Sequence, residues 1–284
     1  MTDHFRLVLA WVLLMLYASL LPASLHAAQD GATYSFGVVP QFEARERAGT
    51  WLPILAELSK RSGLKLELKG SMRIPDFDAE FNSGAFDFAY LNPFHAHRAI
   101  RENGYHALVR DAGNALYGIL AVRKDSHYHS INDLAGQRIA FPSPNAIGAS
   151  LLVRADLESL HKISYTPVYV QTHASAYLNA ILGTTAAVGG VQSTFDLQKP
   201  EVRDQLRILY QTRKIPPHPV IAHPRVPEAH RLKLQQAFLE LAATPEGARL
   251  LSRIPMKQAI AASAADYDII ATLNLEKLSQ KDGK

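Results

Sequence analysis

Apolar positions along the chain follow two alternating rhythms. Runs of strand length at 34–39, 64–69 and 86–90 are separated by stretches at 43–61, 75–83 and 93–103. In those stretches apolar residues return every three or four positions, as on a helix with one buried face. Two further apolar stretches, 105–111 and 115–122, close the series. After Lys124, Asp125 and Ser126 the rhythm restarts, with a short helix and turn over Ile131 to Gly136. Strands at 137–141, 166–171 and 186–191 then alternate with helices at 146–159, 173–182 and 193–199. A strand over Leu206 to Gln211 runs toward Pro216-Pro217-His218-Pro219, a return crossing stiffened because proline fixes φ and restricts the residue before it. Helical patterns at 228–241, 245–254 and 266–278 complete the chain. Alternation of this kind predicts parallel or mixed sheets with helices on their faces. Two such units in series are expected: residues 29–122 as the first part of lobe 1, 123–222 as lobe 2, and 223–284 returning to lobe 1 as helices. Two crossings between lobes make a hinge.

Four of the predicted strands end at a turn marked by proline, asparagine or threonine, and a helix follows each. They are Phe36 to Gln41, Phe86 to Pro93, Ile139 to Asn145 and Val168 to His173. A helix start directs unpaired backbone N–H groups outward at the positive end of its dipole, which suits an anion or polar ligand. Such turns facing one cleft form a binding site without any catalytic group.

Composition narrows the picture. The chain has 284 residues, 48% hydrophobic and 20% charged, as expected of a folded globular protein. Its first 28 residues read as a cleavable secretory signal peptide: Arg6, an apolar run from Leu7 to Leu21, then small residues up to Ala27 and Ala28. The run is shorter than a membrane span usually needs. The formal charge of +4 carries no Lys/Arg-rich run of the kind that marks a nucleic-acid surface. Without cysteine there is no disulfide, no thiolate chemistry, no zinc–thiolate site and no lipid anchor on an N-terminal cysteine.

Candidate ligand-binding residues sit at the four turns. Asn145 is placed to cap the helix that follows, while Ala146, Ile147 and Gly148 let a ligand approach its first N–H groups. Asn92 suits a cap before Pro93, and Tyr90 falls at the carboxyl end of its strand, where open α/β sheets bind ligands. His173 and Ser175 occupy another helix start, and imidazole is a donor to an oxyanion. Gln41 and Gln192 follow strand ends and are weaker members of the set. His218 and His223 flank the proline crossing and read equally as hinge packing. His95 and His97 diverge around a helix axis and make a poor chelate, so no metal or cofactor is expected. No Gly-x-Ser-x-Gly elbow and no phosphate-cradling glycine loop occurs, and the expectation is a binding protein rather than an enzyme.

Four stretches, Phe36 to Pro40, Phe86 to Pro93, Ile131 to Phe141, and Thr172 with His173 and its helix, carry a resemblance over nearly the whole mature chain. The sequence resembles the PhnD-like periplasmic substrate-binding proteins of phosphate, phosphite and phosphonate ABC transporters. That resemblance implies a two-lobed type II periplasmic-binding-protein fold closing on a small anionic solute in an interlobe cleft. It also implies a periplasmic, monomeric protein serving a membrane permease. A second reading keeps the fold and makes the protein the ligand-binding partner of a sensor kinase's extracytoplasmic domain; an enzyme on a related two-lobed scaffold is a remote third. One departure bears on the ligand. Where the family's phosphonate binders commonly carry a Ser-Thr-Ser-Gly-like run, this chain has Ala146-Ile147-Gly148-Ala149, so hydroxyl donors are replaced by backbone alone. No acidic residue adjoins His173 or Gly189-Gly190 to hold an ammonium, which argues against 2-aminoethylphosphonate.

Overall fold

Two sheets organise the computed structural model, which describes residues 33–273 together with Leu275 and Leu278. The proposed signal peptide lies outside the described residues, as do parts of the last predicted helix. The first sheet begins with β1 (Thr33–Val38), whose burial is complete from Phe36 onward because helices cover both faces of this inner strand. Helix α1 (Ala44–Ser62) follows and ends at Gly63, whose φ of 70° is the left-handed conformation of a glycine cap. Next come β2 (Lys65–Lys69), α2 (Ile74–Asn82), β3 (Phe88–Tyr90), α3 (Pro93–Asn103) and β4 (His106–Asp111). β1 pairs in parallel with both β2 and β3. β2 forms one edge, and its exposed Lys65 and Lys69, with half-buried Glu67 between them, discourage pairing with another chain.

The second sheet has the order β7-β6-β8-β5-β9. It comprises β5 (Gly118–Arg123), β6 (Arg138–Phe141), β7 (Thr166–Tyr169), β8 (Ala187–Val191) and β9 (Leu206–Gln211). Strand alternation sorts its residues onto two cores. Ile119, Ala121, Ala140 and Val188 pack with Tyr177 of α5 (His173–Ile181), while Leu120, Val122, Ile139 and Phe141 pack with Val153 and Leu157 of α4 (Val153–Ser159). Short helices α6 (Gln192–Asp196) and α7 (Pro200–Arg203) lead to β9.

Two segments cross between the sheets, 112–117 and 212–219. They pair with each other at Leu116 and Ile215 through reciprocal backbone bonds of 2.9 and 2.8 Å. The Tyr267 hydroxyl donates to the Pro217 carbonyl at 3.1 Å and fastens the return crossing to the C-terminal segment. After the crossing, β10 (Val220–Ala222) inserts antiparallel between β3 and β4. α8 (Glu228–Ala242) packs on α1, α9 (Pro245–Leu251) follows, and β11 (Ala259–Ala261) pairs with β4. A 3-10 helix, Ala264–Leu273, lies along α3. The three-residue strands β10 and β11 are too short to show a period in the sequence, so both escaped the pattern.

Candidate functional site

The carboxyl ends of β1, β3, β6 and β7 feed turns that meet at one small cleft between the two halves. Its lining includes Val39 and Gln41 after β1, Asn92 after β3, Ala146 to Ala149 after β6, and His173 after β7. Ile74, Val191 and His218 complete it, and the cavity is about 20 Å³, room for about one water molecule. Admitting a larger solute therefore requires the halves to part.

The turn after β6 departs from expectation. Asn145 does not cap the helix: the cap position is Ala146, with no side-chain bond, and the first turns, Ile147–Leu152, form a π-helix that continues as α4. Pro144 and Asn145 instead form a turn, closed by the Ala146 amide on the Ser143 carbonyl at 3.4 Å, within which Ser143 Oγ accepts from the Asn145 amide at 3.3 Å. The Asn92 amide group donates to the Asn145 carbonyl at 3.4 Å, a polar contact across the cleft. Two glycines allow the helix start to lie against the sheet. A Cβ at Gly118 would stand 2.1 Å from the Gly148 carbonyl oxygen, and one at Gly189 would stand 2.1 Å from that of Ala149. The N–H groups of Ile147, Gly148 and Ala149, in the first turn, have no acceptor within the helix, and all three residues line the cleft.

His173 enters the cleft through a different local device. Gln171 adopts a φ of 74°, the left-handed region, and Thr172 then caps α5 by accepting from the Ser175 amide at 3.0 Å. His173, the first helical residue, is 3% exposed, and its Nδ1 is buried without a hydrogen-bond partner among the described residues. Burial lowers its pKa to about 4. His218 is lowered further, to about 3, by burial and then by the proximity of His173. Both imidazoles are therefore neutral near pH 7, each with one donor and one acceptor nitrogen. His218 Nε2 lies 3.4 Å from Gln41 Nε2, and its ring stacks on Tyr90 with centroids 5.4 Å apart.

Other candidates take supporting places. Tyr90 does not line this cleft; its ring stands behind His218 and against Trp51, 5.0 Å between centroids. Asn92 lines the cleft but is committed to its neighbours, accepting from the His95 amide at 3.0 Å as the cap of α3. Beneath it His95 Nδ1 lies 3.2 Å from Asp78 Oδ1. Burial raises Asp78 to about 7 and lowers His95 to about 4, the pattern of an aspartic acid facing a neutral imidazole. Ser175 is outside the cleft, its hydroxyl 2.9 Å from that of Thr172. Gln192 is also outside, donating to Asp196 at 2.7 Å and accepting from Gln211 at 3.2 Å. His218 is a cleft-lining residue that the sequence read equally as hinge packing. Its position between the prolines of a crossing is the signal, since a crossing necessarily passes the cleft. Among the described residues no group of three or more His, Cys, Asp or Glu side chains is arranged to hold a metal ion.

Two sheets joined by paired crossings, with four strand-to-helix turns meeting between them, is an architecture for enclosing a small solute. The family of ABC-transporter phosphonate periplasmic substrate-binding proteins matches residues 36–267. The chain belongs to this family. Its fold is accordingly that of the type II periplasmic binding proteins, and it is a periplasmic solute-binding component of a phosphonate-type ABC transporter, with a membrane permease as the partner that the family implies. The phosphonates-binding periplasmic protein of Escherichia coli (strain K12) is 23% identical over 257 residues, 84% of this chain and 75% of the relative. Two solved structures share the fold. A binding protein component of an ABC phosphonate transporter from Pseudomonas aeruginosa has a TM-score of 0.77 at 16% identity, over 89% of this chain and 88% of its own. PhnD1 from Prochlorococcus marinus (MIT 9301), in complex with methylphosphonate, also reaches 0.77, at 14% identity over 87% and 98%.

Proposed function

We propose that the two sheets are the lobes of this phosphonate-family binding protein and that they close on a small oxyanion retaining one ionisable proton, such as a phosphonate monoanion or phosphite. The observation carrying this reading is the composition of the cleft: the helix start at Ala146–Ala149 and two buried neutral histidines line it together, with no charged side chain among the described lining residues. The N–H groups and helix dipole favour the negative oxygens, while a neutral imidazole nitrogen accepts from the remaining P–OH. Sulfate has no such proton at neutral pH and leaves the imidazole acceptor unpaired. Among the described residues the lining contains neither a carboxylate nor a hydroxyl or thiol nucleophile, which supports capture rather than chemistry. Without an acid in the cleft, the ammonium of 2-aminoethylphosphonate has no partner. The same reading has the leader removed on export and the mature monomer serving a permease rather than a sensor kinase.

Thermal-shift measurements and calorimetry with methylphosphonate, phosphite, phosphate, sulfate and 2-aminoethylphosphonate test it. Methylphosphonate or phosphite is expected to bind, adding about 2.7 kcal/mol at 100 times its dissociation constant, with sulfate at least about tenfold weaker. Binding of sulfate as tight as that of phosphite, or of none of the anions, defeats the reading.

A further inference from the structure

On the far side of the Tyr90 ring a second cavity, of about 80 Å³, lies between the halves. Gln41 and Val39 line both cavities, and Tyr90, whose ring separates His218 from Trp51, lines the second. Phe42, Trp51, Leu197 and Ile254 make much of the wall apolar; its charged members are Arg47, Arg253 and one carboxylate, Glu46, which is exposed at the solvent side while Arg47 is buried. Arg47 is 7% exposed, on the buried face of α1, and its Nη1 is buried without a hydrogen-bond partner among the described residues. Its Nε–Nη2 edge lies against the main chain at Gly70, where a Cβ would stand 3.1 Å from Nη2 and 3.2 Å from Nε. Glu43 attracts the guanidinium only at longer range, and no carboxylate pairs with it among the described residues. Arg253, also in the lining, spends Nη2 on the Gly49 carbonyl at 2.9 Å. A guanidinium does not discharge by losing its proton, and a buried charge left unpaired destabilises the fold that holds it. Its retention in a cavity one aromatic ring from the cleft is explained by an anionic ligand.

We infer that this cavity is a second anion subsite, in which Arg47 binds a carboxylate group borne by the same ligand whose phosphonate lies at the Ala146–Ala149 helix start. The inference deepens the phosphonate reading and rests on it: the ligand class becomes a short phosphonocarboxylate. Gln41, common to both linings, sits where such a ligand passes between them.

Calorimetric titration of wild type and Arg47→Met with methylphosphonate, phosphonoacetate and 3-phosphonopropionate tests the assignment. Methionine keeps the apolar stem and removes the charge. The wild type is expected to prefer a phosphonocarboxylate over methylphosphonate by about tenfold or more, as a charge-assisted contact provides, and Arg47→Met to abolish that preference with methylphosphonate affinity within about twofold. Ligand-free Arg47→Met is also expected to melt above the wild type, since an unpaired buried charge has been removed. A preference that is absent or survives the substitution overturns the inference. So does a variant that melts lower or does not fold, because Arg47 then belongs to the scaffold. If no phosphonate binds, the parent reading fails separately, and malonate and succinate decide the subsite: a melting shift present in wild type and lost in Arg47→Met supports it, and any other result overturns it.

Discussion

His173 and Asn145 lie in the turns that follow two neighbouring parallel strands, β7 and β6, yet the structure gives them different work. The His173 ring lies in the cleft, with Nδ1 buried and unpartnered among the described residues. Asn145 contributes its backbone carbonyl to Asn92, a contact that survives removal of its side chain. A hydrogen bond to a charged ligand contributes about 1.5–3 kcal/mol, so His173→Ala is expected to weaken oxyanion binding about 10- to 100-fold. Asn145→Ala is expected to cost about threefold or less, because the backbone N–H groups of Ile147 to Ala149 survive the substitution. Calorimetry on both variants checks this, and equal losses would remove His173 from the site.

At the scale of elements, the π-helical start is held in place by what its neighbours lack. Gly118 on β5 and Gly189 on β8 allow the carbonyls of Gly148 and Ala149 to approach the sheet. Gly189→Ala would set a methyl group 2.1 Å from one of those oxygens and 2.5 Å from the Phe141 ring. Such overpacking typically costs about 1–3 kcal/mol, and here the strain is relieved by lifting the helix start toward the cleft. The expected outcome is a lower melting temperature together with loss of anion binding. A variant that is destabilised but binds with unchanged affinity would show that the helix start does not touch the ligand.

Across the whole molecule, the buried histidines link stability to pH. The folded-state pKa values of His173 and His218, about 4 and about 3, lie below the value of about 6.5 for an exposed histidine. Between those limits the unfolded chain binds more protons, so stability is complete above about pH 6.5 and is lost as the pH falls, by up to about 1.4 kcal/mol per unit for each histidine. Asp78 and His95 add little in this window: folded, the pair carries one proton on Asp78, and unfolded it carries one on His95. Urea denaturation at pH 7 and pH 5 is expected to show a clear loss at the lower pH, with His173→Gln reducing the slope by about half. A bound oxyanion favours the imidazolium and is expected to offset part of that loss. A flat profile from pH 7 to pH 5 would mean that these histidines are not buried neutral.

The sequence alone determined the alternation of strands and helices, the four turns at the carboxyl ends of strands, and the place of His173 at a helix start, because these follow from local periodicity and turn chemistry. It placed the helices of both sheets to within a few residues, since each buries one face and announces it every three or four positions. Only the tertiary structure decided that β10 and β11 join the first sheet, because three-residue strands gain their pairing from neighbours distant in the chain. Only the structure shows the cap at Ala146 rather than Asn145, after a turn closed on Ser143, and the π-helical start lying close against Gly118 and Gly189. The neutral state of His173 and His218 and the unpaired burial of Arg47 likewise depend on surroundings assembled from both halves of the chain. A residue's identity carries its chemistry, but burial and the distance to a counter-charge exist only once the chain has closed on itself.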